Sequence, residues 1–218
     1  MKKVFWDNPY QTKLITKIAW LKENRFVPES IIAYSFAGGQ ESDLAFINNL
    51  PVLDSKIEGN LIYYSLPANH GLSVGDEVTM TIDWPRRHKL MRLHFAAELI
   101  LEIVTQKFHF EKVGAHIAQH KSRIDFKSDI NISTKFEEIL ALYNEIIKSN
   151  LPIHKDYSDV ATQRRFWKID GFAQVPCGGT HVRSTAEVGF ITLKRDRPGK
   201  GIERIEIKLV DDSTPHAE

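Results

Sequence analysis

Four side chains have the types and spacing to do chemistry. His94 and Glu98 are four residues apart, and so are Cys177 and His181 much later in the chain. On a helix, a four-residue spacing puts both groups on one face, one turn apart. Cys177 and His181 lie in Pro176–Cys177–Gly178–Gly179–Thr180–His181, where two glycines let the backbone fold tightly enough for thiol and imidazole to converge. Imidazole, thiolate and carboxylate together suit zinc, which would pin two distant segments to each other. Taken singly, each feature has a plainer reading. A helical His–Glu pair at this spacing is usually a surface pair, and a lone cysteine is usually a small buried hydrophobe. The Cys-x3-His spacing alone is a weak zinc signal.

The elements around these residues follow from periodicity. From Arg86 to about Lys107, apolar residues fall at Leu90, Leu93, Ala97, Ile100, Leu101 and Val104, the spacing of a long helix with a broad buried face. Asp83 is placed to cap it and Pro85 suits its first turn. A second helix is predicted over 135–148, with Thr134 and Glu137 as a capping-box pair and Pro152 just past its end. Strands are predicted at 114–119, 123–127, 166–169, 188–194 and 202–209. In the first 83 residues, short β-branched and aromatic runs at 31–36, 51–53, 61–66 and 77–83 are separated by turn signals at Gly38–Gly39, Glu58–Gly59–Asn60 and Gly75–Asp76. The expected fold class is α+β. A small N-terminal β-barrel over 1–83 precedes an α+β domain over 84–218, in which a long helix packs on an antiparallel sheet. The polar tail, 211–218, is expected to fray.

Composition bounds the function. The chain has 218 residues, 42% hydrophobic and 26% charged, which excludes wholesale disorder. One cysteine excludes an internal disulfide and favours a reducing cytoplasm. No apolar run is long enough to span a bilayer and the N-terminus lacks a signal core, so a cytoplasmic protein without a membrane partner is expected. The net charge of +1 excludes a strongly cationic, non-specific nucleic-acid binder but leaves room for a local basic site. Such a site is offered by Arg86, Arg87, Lys89 and Arg92 around the start of the long helix. Two further basic runs are Arg164–Arg165–Lys168 and Lys194–Arg195–Arg197–Lys200. Trp84 and Phe95 are candidates for stacking on unpaired bases, with core packing the plainer reading for Phe95.

A longer match joins these observations. The segment from Lys168 to Val182, with Pro176–Cys177–Gly178–Gly179–Thr180–His181–Val182 at its end and Thr185, Glu187 and Gly189 beyond, resembles the zinc signature of the alanyl-tRNA synthetase editing domain. It resembles still more the free-standing AlaX-type editing proteins. Further blocks match in order. Phe36–Ala37–Gly38–Gly39–Gln40–Glu41–Ser42–Asp43 is similar to the family's Gly-rich motif, and the run from Arg86 to His94 to the approach to its metal-binding helix. His116–Ile117–Ala118–Gln119 with Ser122–Arg123–Ile124–Asp125–Phe126 is similar to its substrate-pocket strand, and 199–205 to its closing strand.

The resemblance implies a zinc-assisted hydrolase. It would act in trans on the ester of tRNA(Ala) mischarged with serine or glycine, taking the 3′ acceptor end as its partner. By position, one Zn²⁺ would be held by His94, Cys177, His181 and the residue four after His94. Gln119, Ser122, Gly178 and Gly179 would face the substrate, the two glycines as oxyanion N–H donors, and Thr180 would join Glu98 as a catalytic group. The departure is Glu98, where the family pattern has a second His. A carboxylate ligand makes two His, one thiolate and one carboxylate formally neutralise Zn²⁺, which weakens its polarising power. Three arrangements stay open: Glu98 as fourth ligand, Glu98 as general base beside a three-ligand site, or no metal at all. Phe95 and Ala97 stand where the family often has hydroxyl residues, which bears on serine selection. The rival reading is a tRNA-end-binding module whose metal is structural or lost.

Overall fold

The computed structural model describes residues 1–210; the expected fraying of 211–218 lies outside them. The chain divides into two compact units, Met1–His88 and Lys89–Glu218.

The first unit contains β1 (Lys2–Lys3), the single turn α1 (Val4–Asp7), β2 (Lys13–Lys22), β3 (Arg25–Pro28), β4 (Ser30–Ile31), β5 (Ala45–Ile47), β6 (Leu50–Pro51), β7 (Asp54–Glu58), β8 (Leu61–Ser65) and β9 (Glu77–Ile82). Seven strands form one antiparallel sheet in the order β6-β5-β9-β2-β3-β8-β7. The ten-residue β2 serves both halves, pairing with β9 through Lys13–Lys17 and with β3 through Ile18–Lys22, with a register shift between Ile18 and Trp20. Such a bulge adds twist and curls the sheet. Alternate residues point inward (Ile62 and Tyr64 on β8, Val78, Met80 and Ile82 on β9) and pack with Phe5, Phe26, Ile32 and Ile47.

The expected small β-barrel is met in part, by a curled half-barrel sheet whose strand order ends at β6 and β7. The predicted strand at 31–36 shows why. Only its first residue is in a strand, because the Tyr34 N–H donates to Asp43 Oδ2 (2.6 Å) and the Phe36 N–H to Ser42 Oγ (2.9 Å). Backbone donors committed to side chains cannot join a ladder.

Asp43 has a second partner, one of the expected RNA-binding residues. Arg87 has no exposed side-chain surface, and its guanidinium forms a two-point pair with the Asp43 carboxylate. It also donates to the carbonyls of Pro9 (3.0 Å) and Ile32 (2.6 Å). With Asp43 it forms a fully buried ion pair in the core of the first unit. Arg86 is also occupied, by the Ser42 carbonyl and the Glu41 carboxylate.

The second unit is built on the long helix α2 (Trp84–Phe108), whose first turn lies in the first unit. As expected, Asp83 caps it, its carboxylate accepting from the Arg86 N–H at 2.8 Å. From Leu90 to Val104 the helix is buried on nearly all sides, leaving Arg92, Glu98, Leu101 and Glu102 half-buried. The remaining elements are β10 (Glu111–Ile117), β11 (Ser122–Lys127), α3 (Phe136–Lys148), β12 (His154–Asp159), β13 (Arg164–Ile169), β14 (Ala173–Pro176), the turn α4 (Thr185–Val188), β15 (Ile191–Gly199) and β16 (Ile202–Leu209). They form a four-stranded antiparallel sheet, β10-β11-β16-β15, and a three-stranded one, β12-β13-β14. Ser122 Oγ on β11 donates to the Leu93 carbonyl of α2 at 3.1 Å, fastening helix to sheet.

Two local expectations are corrected. The predicted capping box before α3 does not form. Thr134 lies inside a 3-10 turn, Ile132–Lys135, and donates to the Asn131 carbonyl, while Asn131 caps that turn by accepting from the Ser133 N–H. The strand predicted at 188–194 starts only at Ile191, because α4 precedes it and ends at Gly189 with φ 80° and ψ 177°. That region is open essentially to glycine alone. A Cβ there would also lie 2.5 Å from Arg92 Nη2, on a side chain held by its Nε bond to the Val188 carbonyl. Gly189→Ala is therefore expected to destabilise the second unit by about 1–3 kcal/mol, read as a lower urea midpoint with an unchanged slope.

Candidate metal centre

The long helix and the loop after β14 do meet. Ligand atoms of His94, Cys177 and His181 all lie within 4.8 Å of one another. Cys177 Sγ is 3.6 Å from His94 Nε2 and 3.3 Å from His181 Nε2. Glu98, one turn after His94, brings Oε1 to 3.3 Å from His94 Nε2 and 3.8 Å from Sγ. Its other oxygen accepts from Trp167 Nε1 at 2.9 Å.

These separations arise from the backbone around them. Cys177 follows β14, and its N–H donates to the Arg165 carbonyl of β13 at 2.9 Å, so the ladder sets where the thiol begins. Neither Gly178 nor Gly179 is among the residues with positive φ. Lys155 Nζ donates to the His181 carbonyl at 3.4 Å. Phe95 packs edge-on to both His181 (centroids 5.5 Å) and Trp167 (5.1 Å), filling the space beside the cluster.

Two imidazoles, a thiol and a carboxylate are a zinc donor set. Donors sharing a tetrahedral ion at about 2.0–2.3 Å stand about 3.3–3.8 Å apart, which matches the distances from Cys177 Sγ to both imidazoles and from Glu98 Oε1 to His94 and Cys177, with Glu98 outside the three-residue group whose donors all lie within 4.8 Å of one another. Protonation agrees at His181, where burial and the neighbouring His94 charge push the pKa well down and leave a neutral imidazole. At His94 the burial that disfavours charge is outweighed by Cys177 and Glu98, which raise the pKa to about 10. At Glu98 burial is likewise outweighed, by the hydrogen bond and charge of His94 and the Trp167 hydrogen bond, and the pKa falls to about 2. Loading a metal therefore displaces a proton from His94. His94 Nδ1 is buried with no hydrogen-bond partner among the described residues, so the groups facing Nε2 orient this ring.

The comparisons with known proteins bear on the same residues. The family described as the threonyl and alanyl tRNA synthetase second additional domain matches residues 165–206, from β13 into β16, and so includes Cys177 and His181. Across 214 residues the chain is 30% identical to alanyl-tRNA editing protein AlaX-M of Pyrococcus horikoshii, covering 95% of this chain and 97% of that protein. The chain belongs to the AlaX-type alanyl-tRNA editing family. A second AlaX-M, from Methanosarcina barkeri, is 28% identical over 235 residues, covering 93% of this chain and 96% of that protein. Alanine–tRNA ligase of Methanococcus maripaludis strain C7 is 29% identical over 225 residues, which are 93% of this chain but only 25% of the ligase.

Within this AlaX-type chain the other expected site residues fall in different places. Ser122, expected to face the substrate, is fully buried and donates to the Leu93 carbonyl. Thr180 is buried next to His181 in sequence. Gln119 is half-buried in the turn joining β10 and β11, closed by the Ala118 N–H to the Lys121 carbonyl. Of the expected phosphate-binding groups on α2, Lys89 is exposed, whereas Arg92 is tied to Val188. Arg195 forms a two-point pair with the buried Glu203. In the first unit, Trp84 stacks on His88 with centroids 5.2 Å apart. No helix among the described residues is long and apolar enough to cross a membrane.

Sequence reading missed Trp167 as a site residue. The signal was period-two alternation: Trp167 pairs with Val175 across the β13–β14 ladder, two residues before Cys177. Its indole therefore shares the face on which the thiol emerges.

Proposed function

We propose that this chain is a trans-acting, cytoplasmic aminoacyl-tRNA deacylase that hydrolyses the ester of tRNA(Ala) charged with serine or glycine, with zinc at its centre. The observation that carries the reading is the convergence of His94, Cys177 and His181 within 4.8 Å, with Glu98 beside them, in a chain of the AlaX-type family. His94, Cys177, His181 and Glu98 would hold the ion. When bound, zinc supplies Lewis-acid polarisation of an ester carbonyl or a more acidic water.

An aminoacyl ester is already activated, so the protein has little else to add. A base to take a proton from water is typically worth about 10²–10⁴-fold. Donors are also needed where the tetrahedral oxyanion forms, a role for the Gly178 and Gly179 N–H groups. Phe95 leaves no hydroxyl at its position, and its ring is packed on His181 and Trp167. Recognition of a serine hydroxyl then falls to Thr180 and Gln119. Single-stranded RNA ends are held through phosphates and base stacking, and exposed Lys89 suits a phosphate.

The test is incubation of the zinc-loaded protein with Ser-, Gly- and Ala-tRNA(Ala). Ester loss faster than the uncatalysed rate by at least about 10²-fold is expected for one or both mischarged species, with Ala-tRNA(Ala) spared. No acceleration with any mischarged species overturns the hydrolase. A second reading is favoured by Glu98 Oε1, which lies 3.3 Å from His94 Nε2 and 3.8 Å from Cys177 Sγ, beside the three-donor cluster, where it would fill the fourth position that structural zinc keeps closed. That reading is a tRNA-end-binding module with a structural ion, and its mark is tight tRNA binding without turnover. Glu98→Gln separates the roles of this carboxylate. Lost zinc is expected for a ligand, whereas retained zinc with slowed turnover marks a base.

A further inference from the structure

We propose that Trp167 is a positioning residue: its indole N–H holds one oxygen of Glu98, so that the carboxylate presents only its other oxygen to the metal centre as fourth donor. This rests on the metal reading above. A glutamate arm is long enough to chelate through both oxygens or to swing away. Here Oε2 is taken by Trp167 Nε1 at 2.9 Å, and Oε1 is left facing His94 Nε2 (3.3 Å) and Cys177 Sγ (3.8 Å).

The holder is itself fixed. Trp167 has no exposed surface and sits on the middle strand of its sheet, between Lys155 of β12 and Val175 of β14. The same strand, two residues earlier, receives the Cys177 N–H at the Arg165 carbonyl. One rigid element thus sets both the thiol and the partner of the carboxylate. Phe95, wedged against Trp167 and His181, ties their rings to a common spacing.

An indole N–H is a donor only, and burying it without an acceptor is unfavourable. The bond to Glu98 therefore orders both ends. Metal-binding residues are normally oriented by such outer hydrogen bonds. His94, with no partner for Nδ1 among the described residues, lacks one. On this helix face the orienting contact falls on the carboxylate, at the position where the chain departs from a His pair.

The test compares the full chain with Trp167→Phe, Glu98→Ala and the double variant. Zinc affinity is measured by competition with a chromophoric chelator, and coordination by the absorption bands of the Co²⁺-loaded protein. Trp167→Phe keeps an aromatic ring and removes the N–H. It is expected to weaken zinc binding about 10–100-fold and to shift the Co²⁺ bands. In the Glu98→Ala background it should add less than about two-fold, because its partner is already gone. Unchanged affinity and spectrum, or the same loss in both backgrounds, overturns the assignment.

A second measurement needs no substitution of Trp167. The chain has four tryptophans, and Trp6, Trp20 and Trp84 lie in the first unit. One indole N–H resonance of the wild-type chain should move on zinc addition, and it should stay in place in Glu98→Ala. Four unmoved resonances in the wild type overturn the proposal. Wild-type deacylation is assayed separately. Intact Trp167–Glu98 coupling without turnover removes only the hydrolase reading, and turnover without coupling removes only this one.

Discussion

Cys177→Ala is expected to abolish zinc binding, lowering affinity by well over the roughly 10–100-fold that outer contacts supply, and deacylation of mischarged tRNA(Ala) should fall with it. The sulfur is the common vertex of the site, 3.6 Å from His94 Nε2, 3.3 Å from His181 Nε2 and 3.8 Å from Glu98 Oε1. The N–H of Cys177 is fixed on β13, so no neighbouring side chain can take over the position. Two readouts check this. Zinc content after gel filtration should drop to background. Zinc added to wild type should raise the urea midpoint, by about 2.7 kcal/mol of stability at a hundred-fold excess over Kd, and the variant should not respond. A Cys177→Ala protein that keeps its zinc and its turnover would remove the metal centre from the account.

Asp43→Ala is expected to destabilise the first unit by about 3–5 kcal/mol, because it strands a buried guanidinium. Both side chains of the Asp43–Arg87 pair are fully buried. The aspartate also accepts from the Tyr34 N–H, and the arginine also donates to Pro9 and Ile32. The pair therefore closes hydrogen bonds with three backbone groups from two other segments of the unit, at Pro9 and at Ile32–Tyr34. Against a typical total stability of about 5–15 kcal/mol, this loss is large enough to leave the unit partly unfolded at 37 °C. Thermal unfolding followed by circular dichroism measures it. Arg87→Met combined with Asp43→Leu should recover part of the loss and not all, since three backbone groups stay without partners. Lys89→Ala is the exposed comparison. It should leave stability within about 0.5 kcal/mol and, where Lys89 meets phosphate, lower the salt dependence of tRNA binding. A stable Asp43→Ala protein with weakened tRNA affinity would return Arg87 to the RNA-binding role that its sequence neighbourhood suggests.

Much of the fold was legible because its signals are local. The apolar spacing from Leu90 to Val104 and the cap at Asp83 lie within one segment, and both are present. The strand at 202–209 was equally plain, with Ile205 and Ile207 buried on alternate positions. β12 and β14 were not legible. β12, His154–Asp159, is polar except for Tyr157, and β14 is only four residues long; pairing with β13 makes both into strands. The capping box failed for a similar reason, since Asn131 three residues earlier competed for the same turn.

The donor set of the centre was written in residue types: a His–Glu pair at helical spacing and a Cys–His pair beside glycines. How the members are arranged was not. Glu98 and Trp167 are 69 residues apart, and only packing decides that one carboxylate oxygen faces an indole and the other the thiol. Arg87 makes the same point from the other unit. In a string of residues it is one cation in a basic cluster, and its meaning reversed once Asp43, 44 positions away, was folded against it in a place without water. Side-chain type and short-range periodicity are properties of the chain itself. Burial and long-range partnership exist only after folding, and they determine whether a charge binds a ligand or holds the core.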